Sequence, residues 1–381
     1  MSSFLPAKMN GPIRHVDSLS RLLARRGHDV TVFTALIGVP TGTLLKEKRQ
    51  GVMIERFKVA GQWGHWTRCP EFGPALERGR FELVHAQSYR NYLTHAAAKV
   101  CERAEIPFVL TPRGSLRGFE YLDEGAFSRL PNVAFDFVTR KRPLHCGTII
   151  VTSTQEMNDA IRIGVQREDI RLIPHGFDFA SLPQPVAKAE PFAQKLLFVG
   201  RLTTQRNLKF LLRAFARARR EDTDLKLTIV GDPIPSRHNA KERRYLGELH
   251  SLMSSLRLEG SATFLGGRYG EELWDAYMSH DIFVYPSRYD NFGFALLEAA
   301  YFGLPIVSTN VGVAGDLLVN GRGGLLVNHD DDEGLANAIL QLSQDPKRRL
   351  DCSAFLKQQC KLYGMQQNLE AHESLYRTLI L

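Results

Sequence analysis

The 381-residue sequence predicts an α/β protein of two domains, each a doubly wound and mostly parallel sheet. Three observations carry this. The length exceeds what one hydrophobic core usually serves. Short apolar runs alternate with helical patterns in both halves, which is the order of a parallel sheet covered on both faces. Between the halves, Ser181–Pro191 places Pro183, Pro185 and Pro191 among small and polar residues, the composition of a linker.

The first half opens on a helix marked by Val16, Leu19, Leu22 and Leu23, which leads into the strand Asp29–Thr34. Further strands are predicted at Val52–Phe57, Leu83–Ala86, Pro107–Thr111, Thr148–Thr152 and Ile170–Pro174. A domain of this class should begin with a buried central strand, yet only Ser2-Ser3-Phe4-Leu5 precedes the loop Pro6–Pro12. The first strand is therefore expected to be short or missing. The second half is more regular. Strands are predicted at Lys195–Gly200, Lys226–Gly231, Ala262–Gly266, Ile282–Tyr285, Pro305–Ser308 and Gly324–Val327. The clearest helix follows Asn207, with Leu208, Leu211, Leu212 and Phe215 at i, i+3, i+4 and i+7.

Composition narrows the class. Hydrophobic residues at 44% and charged residues at 24% are ordinary for a soluble globular chain. Cys69, Cys101, Cys146, Cys352 and Cys360 are odd in number and form no CxxC pair, which indicates neither a disulfide framework nor a zinc site and suits a reducing cytoplasm. No apolar run approaches the ~18 residues of a membrane span, and no signal peptide opens the chain. Residues 1–180 hold 25 Lys and Arg against 18 Asp and Glu, so most of the formal charge of +8 lies in the first half. Such a surface attracts anionic membranes or phosphorylated ligands, or is simply a solvated face. No nucleic-acid partner is expected. No G-x-G-x-x-G follows a strand, which disfavours a dinucleotide-dependent oxidoreductase.

Two motifs carry chemistry. Strand 195–200 ends in Gly200-Arg201-Leu202, and Arg206-Asn207-Leu208 opens the next helix. Two cations five residues apart, beside a helix end with free N–H groups, suit a diphosphate. The bland alternative is a pair of surface arginines. The second motif is Ser287–Pro305. Asp290 lies in a loop after a strand and Glu298 in the following helix, eight residues on. A carboxylate accepts two hydrogen bonds from vicinal hydroxyls, as in a sugar or ribose. Gly293 lets the backbone bend close to a ligand, and Phe292 and Phe294 are placed to wall it. The spacing alone is weak, and the strand–loop–helix context strengthens it.

These residues resemble glycosyltransferase family 4, also called the glycosyl transferases group 1, a large retaining family with the GT-B fold of two Rossmann-like domains facing a cleft. The resemblance rests on F-V-G-R-L-x-x-x-R-N-L at Phe198–Leu208, Y-P-S-R-Y-D-N-F-G at Tyr285–Gly293 and L-L-E-A-x-x-x-G-L-P-I-V at Leu296–Val307. Weaker matches lie at Asn10–Val16, Arg26–Val32, Val84–Gln87 and Ile173–Asp178. It implies an acceptor-side domain at 1–180, a linker at 181–191, a nucleotide-sugar-binding domain at 192–365, and a terminal helix at 366–381 that packs back on the first domain.

The resemblance also implies roles. Arg201 and Arg206 would clamp the donor diphosphate, Arg206 standing where the family usually has Lys. Glu298 would hold the ribose hydroxyls. Asp290 stands where the family usually has Glu, near the donor sugar. Gly200, Asn291, Phe292, Gly293 and Phe294 would line the donor pocket. Asn10 and Gly11 take the place of a double glycine near the phosphates. Arg113 sits near a position that often carries a sugar-facing His. His15, His85 and His175 are read equally well as structural.

The implied activity is transfer of a hexose, with retention, from a UDP- or GDP-type sugar to a saccharide or lipid-linked acceptor in envelope polysaccharide synthesis. No metal or other cofactor is expected. Two alternatives stay open: a catalytically inactive binding partner, and a nucleotide-sugar epimerase or phosphorylase on the same fold. A cytoplasmic enzyme, peripheral on an anionic membrane surface, is expected to dock through Arg113, Arg117 and Arg129, with Arg140-Lys141-Arg142 and the aromatics Phe119, Tyr121 and Phe127 nearby; a soluble enzyme whose basic acceptor groove takes an anionic saccharide is the alternative reading of the same residues.

Overall fold

The computed structural model describes residues 11–40, 42–63, 66–116, 130–185, 194–232 and 240–381. The chain divides into two units. One comprises the residues up to Phe177 together with Met365–Leu381, and the other comprises Asp178–Gly364.

In the first unit, helix α1 (Gly11–Arg25) leads to β1 (Thr31–Ala35), then β2 (Lys46–Arg49), β3 (Val52–Phe57), β4 (Gly61–Trp63) and β5 (Trp66–Arg68). Helix α2 (Phe72–Arg78), β6 (Val84–Gln87), α3 (Tyr92–Ala104), β7 (Phe108–Thr111), α4 (Leu130–Thr139), β8 (Thr148–Val151), α5 (Thr154–Arg162) and β9 (Ile170–Leu172) follow. The strands form a sheet of order β1-β3-β2, a sheet of order β6-β7-β8-β9 and the hairpin β4-β5. β2 and the hairpin were not legible in the sequence. β2 reads Lys-Glu-Lys-Arg, has no apolar face, and exists by antiparallel pairing to β3 at the sheet edge.

The second unit is one parallel sheet. Its strands are β10 (Lys195–Val199), β11 (Lys226–Val230), β12 (Ala262–Gly266), β13 (Ile282–Tyr285), β14 (Ile306–Thr309) and β15 (Gly324–Val327), in the order β12-β11-β10-β13-β14-β15. Helices α6 (Leu208–Glu221), α7 (Ala240–Ser255), α8 (Glu271–Ser279), α9 (Phe294–Tyr301), α10 (Ala314–Leu317), α11 (Asp332–Gln344) and α12 (Pro346–Gln359) connect and cover them. Both faces of the sheet are covered, so β13 and β14 are buried at every position. The last helix, α13 (Met365–Ile380), belongs to the first unit. It packs on α1 through Leu369 against Leu19 and Leu23, and Arg26 binds its Glu373 at 2.6 Å.

In the second unit the first strand, β10, lies mid-sheet. Among the described residues no strand pairs with the remaining edges of β1 and β6. A cavity of about 340 Å³ lies there, lined by Val32, Phe33 and Val84–Gln87, by Val16 and Leu19 of α1, and by Phe72, Leu93 and Ala97 of α2 and α3. The four-residue run expected as a first strand, Ser2–Leu5, lies outside the described residues. No helix among the described residues is long and apolar enough to cross a membrane.

Candidate active site

In the second unit the two motifs meet at the carboxyl ends of the central strands. That is where ligands bind in open α/β sheets. β10 ends at Gly200. A Cβ there would stand 3.0 Å from the Phe198 ring and 3.7 Å from Nε of Arg206, so the missing side chain lets the backbone run close to both. Residues Thr204–Arg206 form one 3-10 turn, and Asn207 takes a left-handed conformation, φ +54°, to start α6. Asn207 is held there by donating to Asp330 at 2.9 Å. The loop after β13 is stitched to this turn. Gln205 donates to the Tyr289 carbonyl at 2.8 Å, and the Arg288 N–H donates to the Gln205 carbonyl at 2.9 Å.

The stitching turns Arg206 inward. Its Nη1 donates to Oδ2 of Asp290 at 2.7 Å and more loosely to Ser287 Oγ and the Tyr289 carbonyl. The guanidinium also lies 5.3 Å from the centre of the Tyr285 ring. The Tyr285 hydroxyl donates to the same Oδ2, and the Asn291 N–H donates to Oδ1 at 2.8 Å. Burial works against both charges. For Arg206 the Asp290 carboxylate and the Tyr285 ring outweigh it and raise the pKa. For Asp290 the Arg206 charge and the Tyr285 hydrogen bond outweigh it and lower the pKa. The result is a fixed, charged pair at the end of β13. Tyr285 belongs to the quoted motif, but nothing in the sequence marked its hydroxyl as the third member.

The remaining predicted residues divide. Gly293 has φ +85°, a conformation that favours glycine, and it reverses the chain just before α9. Glu298 is half-buried on α9 and accepts from the Tyr277 hydroxyl at 2.7 Å. That tyrosine lies on α8 with its ring stacked on Phe302, and no sequence signal pointed to it. Asn291 and Phe294 are half-buried beside the pair. Phe292 is buried with its ring 4.9 Å from that of Phe294, and its carbonyl accepts from Val313 at 2.9 Å, so it pins the loop from within. Arg201 is exposed, and among the described residues no hydrogen bond or ion pair holds its side chain. The two cations of the expected clamp are therefore unlike: Arg206 is locked and Arg201 is loose.

In the first unit Gly11 begins α1, while Asn10 lies outside the described residues. Arg113 follows β7 with φ +55°, a strained value for a side chain of its size. It does not reach a docking surface. It is half-buried, and its Nε donates to Gln87 at 2.6 Å while its Nη atoms meet His15 at 3.2 Å and His175 at 3.4 Å. His15 and His175 rings lie 4.5 Å apart, and His372 of α13 stands near both His15 and His85. Burial first, and then neighbouring positive groups, hold His15, His85 and His175 well below the usual histidine range. His372 is pushed down to about 4 by burial. Burial also lowers Arg113 to about 10. The docking candidates Arg117, Arg129, Phe119, Tyr121 and Phe127 lie outside the described residues.

Comparison with known proteins bears on both units. The family "Glycosyl transferases group 1" matches residues 187–359, and the "Glycosyl transferase 4-like domain" matches residues 10–176. Glycogen synthase of Mycobacterium tuberculosis (strain ATCC 25618 / H37Rv) is 27% identical over 370 residues, covering 90% of this chain and 84% of that protein. D-inositol 3-phosphate glycosyltransferase of Corynebacterium urealyticum is 30% identical over 214 residues, covering 55% of this chain and 49% of that protein. Among solved structures, Anabaena HepE in complex with UDP and glucose superposes with a TM-score of 0.73 at 19% identity, over 98% of this chain and 97% of that one. Sucrose-phosphate synthase from Thermosynechococcus elongatus gives 0.75 at 23% identity, over 97% and 94%. The fold of these neighbours is GT-B, as the sequence implied. With both family patterns on one chain and its relatives named for the same chemistry, the chain belongs to the group 1 glycosyl transferases and is an enzyme that moves a hexosyl unit from a nucleoside diphosphate sugar.

Proposed function

We propose that the chain is a retaining transferase that uses a UDP-linked hexose, without metal, and passes it to a saccharide or lipid-linked acceptor in envelope polysaccharide synthesis. The observation that carries this is the locked Arg206–Asp290–Tyr285 group at the end of β13, beside the turn that starts α6. Negative charge grows on the diphosphate as the sugar bond breaks, and a cation that does not have to reorganise stabilises that charge most. Arg206 is held by Asp290 in this way, and exposed Arg201 closes on the phosphates from the solvent side. Glu298, set by Tyr277, accepts from the ribose hydroxyls. Asp290 orients the cation first and contacts the sugar second, since Arg206 and Tyr285 share one of its oxygens. UDP is favoured over GDP because HepE was solved with UDP and glucose.

A screen of UDP-, GDP- and ADP-hexoses tests the donor, with the product anomer read by NMR. Hydrolysis or transfer with UDP-hexose and an axial product from an axial donor is expected. An inverted product would overturn retention.

Membrane docking rests on α4. Val133, Phe137 and Val138 lie on one side of this helix at 61, 83 and 63% exposure, while Phe135 is fully buried on the other. Arg140 follows them, exposed. Lys141 and Arg142 are engaged with the Ile163 carbonyl and Glu102. An apolar helix face with a basic end lies in the interface of an anionic bilayer, on its cytoplasmic side for an enzyme fed by nucleotide sugars. Flotation with anionic vesicles at low salt should carry the protein, and neutral vesicles should not. Failure on anionic vesicles would leave the enzyme free of the membrane.

A further inference from the structure

The proton positions around Arg113 can be counted. The Asn368 amide donates to the Pro174 carbonyl at 2.6 Å, so its oxygen accepts from Nε2 of His15 at 3.1 Å. Nδ1 of His15 is then bare and accepts from Arg113. The Gln87 oxygen accepts from Arg113, so its amide donates to Nε2 of His85 at 3.1 Å, and His85 carries its proton on Nδ1, toward Tyr376. His372 donates from Nδ1 to the Asn368 carbonyl at 2.7 Å. These tautomers follow from the network. His15, His85 and His372 are thus accounted for as neutral rings, Nε2 of His175 faces Arg113, and Arg113 holds the positive charge among them.

That charge lacks a direct counter-ion among the described residues. Among the described residues the acid that acts on it is Glu156, whose oxygens accept from the Gly114 N–H at 2.8 Å and from the N–H and hydroxyl of Thr152 at 2.9 and 2.8 Å. Three other arginines drawn into the fold differ: Arg56 binds Glu47, Arg90 binds Asp136 and Arg206 binds Asp290. Buried Arg349 donates to the Leu342 and Ser343 carbonyls at the end of α11. A guanidinium has five N–H donors. Three of Arg113's point at Gln87, His15 and His175, which leaves one on each terminal nitrogen. An uncompensated, half-buried fork of this kind suits an oxyanion, which accepts both hydrogens and supplies the missing charge.

We infer that Arg113, in its collar of neutral histidines, is a binding site for an anionic group of a substrate, a phosphate or a carboxylate. This deepens the transferase proposal and rests on it for the identity of the substrate. A phosphate would belong to the donor diphosphate or a phosphorylated acceptor, and a carboxylate to an acidic sugar.

The test is calorimetric titration of the full chain with inorganic phosphate, glucuronate, glucose and UDP, in wild type, Arg113→Gln and Arg113→Lys. Arg113→Gln should weaken phosphate or glucuronate binding tenfold or more and leave glucose unchanged. Arg113→Lys should recover only part, because a point charge cannot reproduce a two-pronged grip. A loss shared by phosphate and UDP assigns the donor diphosphate. A loss with phosphate and not UDP assigns an acceptor phosphate, and one confined to glucuronate assigns an acidic sugar. Equal anion binding in wild type and Arg113→Gln, or no anion binding in wild type, overturns the site. A second measurement does not depend on the variants folding. Phosphate or glucuronate added to wild type should move the ring nitrogen signals of His15 and His175, and unmoved signals would count against the site. Should UDP fail to bind wild type while these anions bind, the donor proposal falls and the anion site stands.

Discussion

Replacing Asp290 by Asn keeps the shape of the loop after β13 and removes the charge that faces Arg206. The side chains of the pair are 11% and 16% exposed, so the guanidinium cannot turn to water without breaking its contacts to Ser287 and Tyr289. Removing one partner of a buried pair leaves an uncompensated charge and costs about 3–5 kcal/mol. In a unit the size of Asp178–Gly364 each kcal/mol lowers Tm by about 2–4 °C, so a loss of roughly 6–12 °C is expected at the lower figure. The same change frees Arg206 for an anionic ligand. UDP should therefore bind Asp290→Asn at least as tightly as wild type and should restore more of its Tm than it adds to wild type. Turnover should fall, because the freed cation is no longer fixed for the transition state. Differential scanning fluorimetry with and without UDP reads the first two effects. A Tm within about 2 °C of wild type would show that Arg206 is solvated and that the pair does not organise the site. Weaker UDP binding would show that Asp290 serves the nucleotide itself.

Arg206→Ala should lower turnover on the order of 10²-fold, the scale of losing one preorganised charge stabiliser. Arg201→Ala should act more through donor affinity, because this arginine is exposed and must be ordered by the ligand; steady-state rates with varied donor separate the two. Glu298→Gln should weaken UDP binding by roughly 1.5–3 kcal/mol, the range for a hydrogen bond to a charged group, and unchanged affinity by calorimetry would remove the ribose assignment. Acid should destabilise the first unit. His372 titrates near 4 when folded and near 6.5 when unfolded, so its contribution is complete above about pH 6.5 and declines as pH falls toward 4, reaching a loss of about 2 kcal/mol at pH 5. Urea midpoints at pH 7.5 and 5.0 measure this, and His372→Phe should reduce the difference by about that amount, the rest belonging to His15, His85 and His175.

The second unit was nearly all legible because burial on both faces forces continuous apolar runs, and turn glycines such as Gly200 and Gly293 mark the strand and loop ends. The pairing of Arg206 with Asp290 was not. They are 84 positions apart, and each was read as a ligand contact in its own right, while the fold spends one on holding the other. Tyr277 was invisible because a tyrosine on a helix is by default a core residue, and only the packing of α8 against α9 brings its hydroxyl to Glu298. In the first unit, β2 and the β4-β5 hairpin lack the apolar period that sequence patterns depend on. The histidines were seen singly, each with an ordinary structural explanation. Their convergence depends on α13, which returns from the far end of the sequence to bring Asn368, His372 and Tyr376 beside β6 and β7.

Arg206 and Arg113 show how one residue type serves two tasks when its partners differ. Both are withdrawn from solvent, and both sit after a sheet strand where substrates bind. Arg206 has a carboxylate at 2.7 Å, so it is stable without a ligand and its position is set before the donor arrives. A ligand phosphate meets a cation whose charge is already partly answered, which favours orientation over affinity. Among the described residues Arg113 meets neutral acceptors alone, and its cost is met by the rest of the unit. An anion arriving there gains the full attraction, which favours affinity and selection of charged substrates over neutral ones. Exchanging the two settings separates these effects: a carboxylate placed beside Arg113, as in Gln87→Glu, should raise stability and reduce anion binding, whereas Asp290→Asn should do the reverse at Arg206. Both variants shifting in the same direction would show that the charge of the immediate partner does not govern either site.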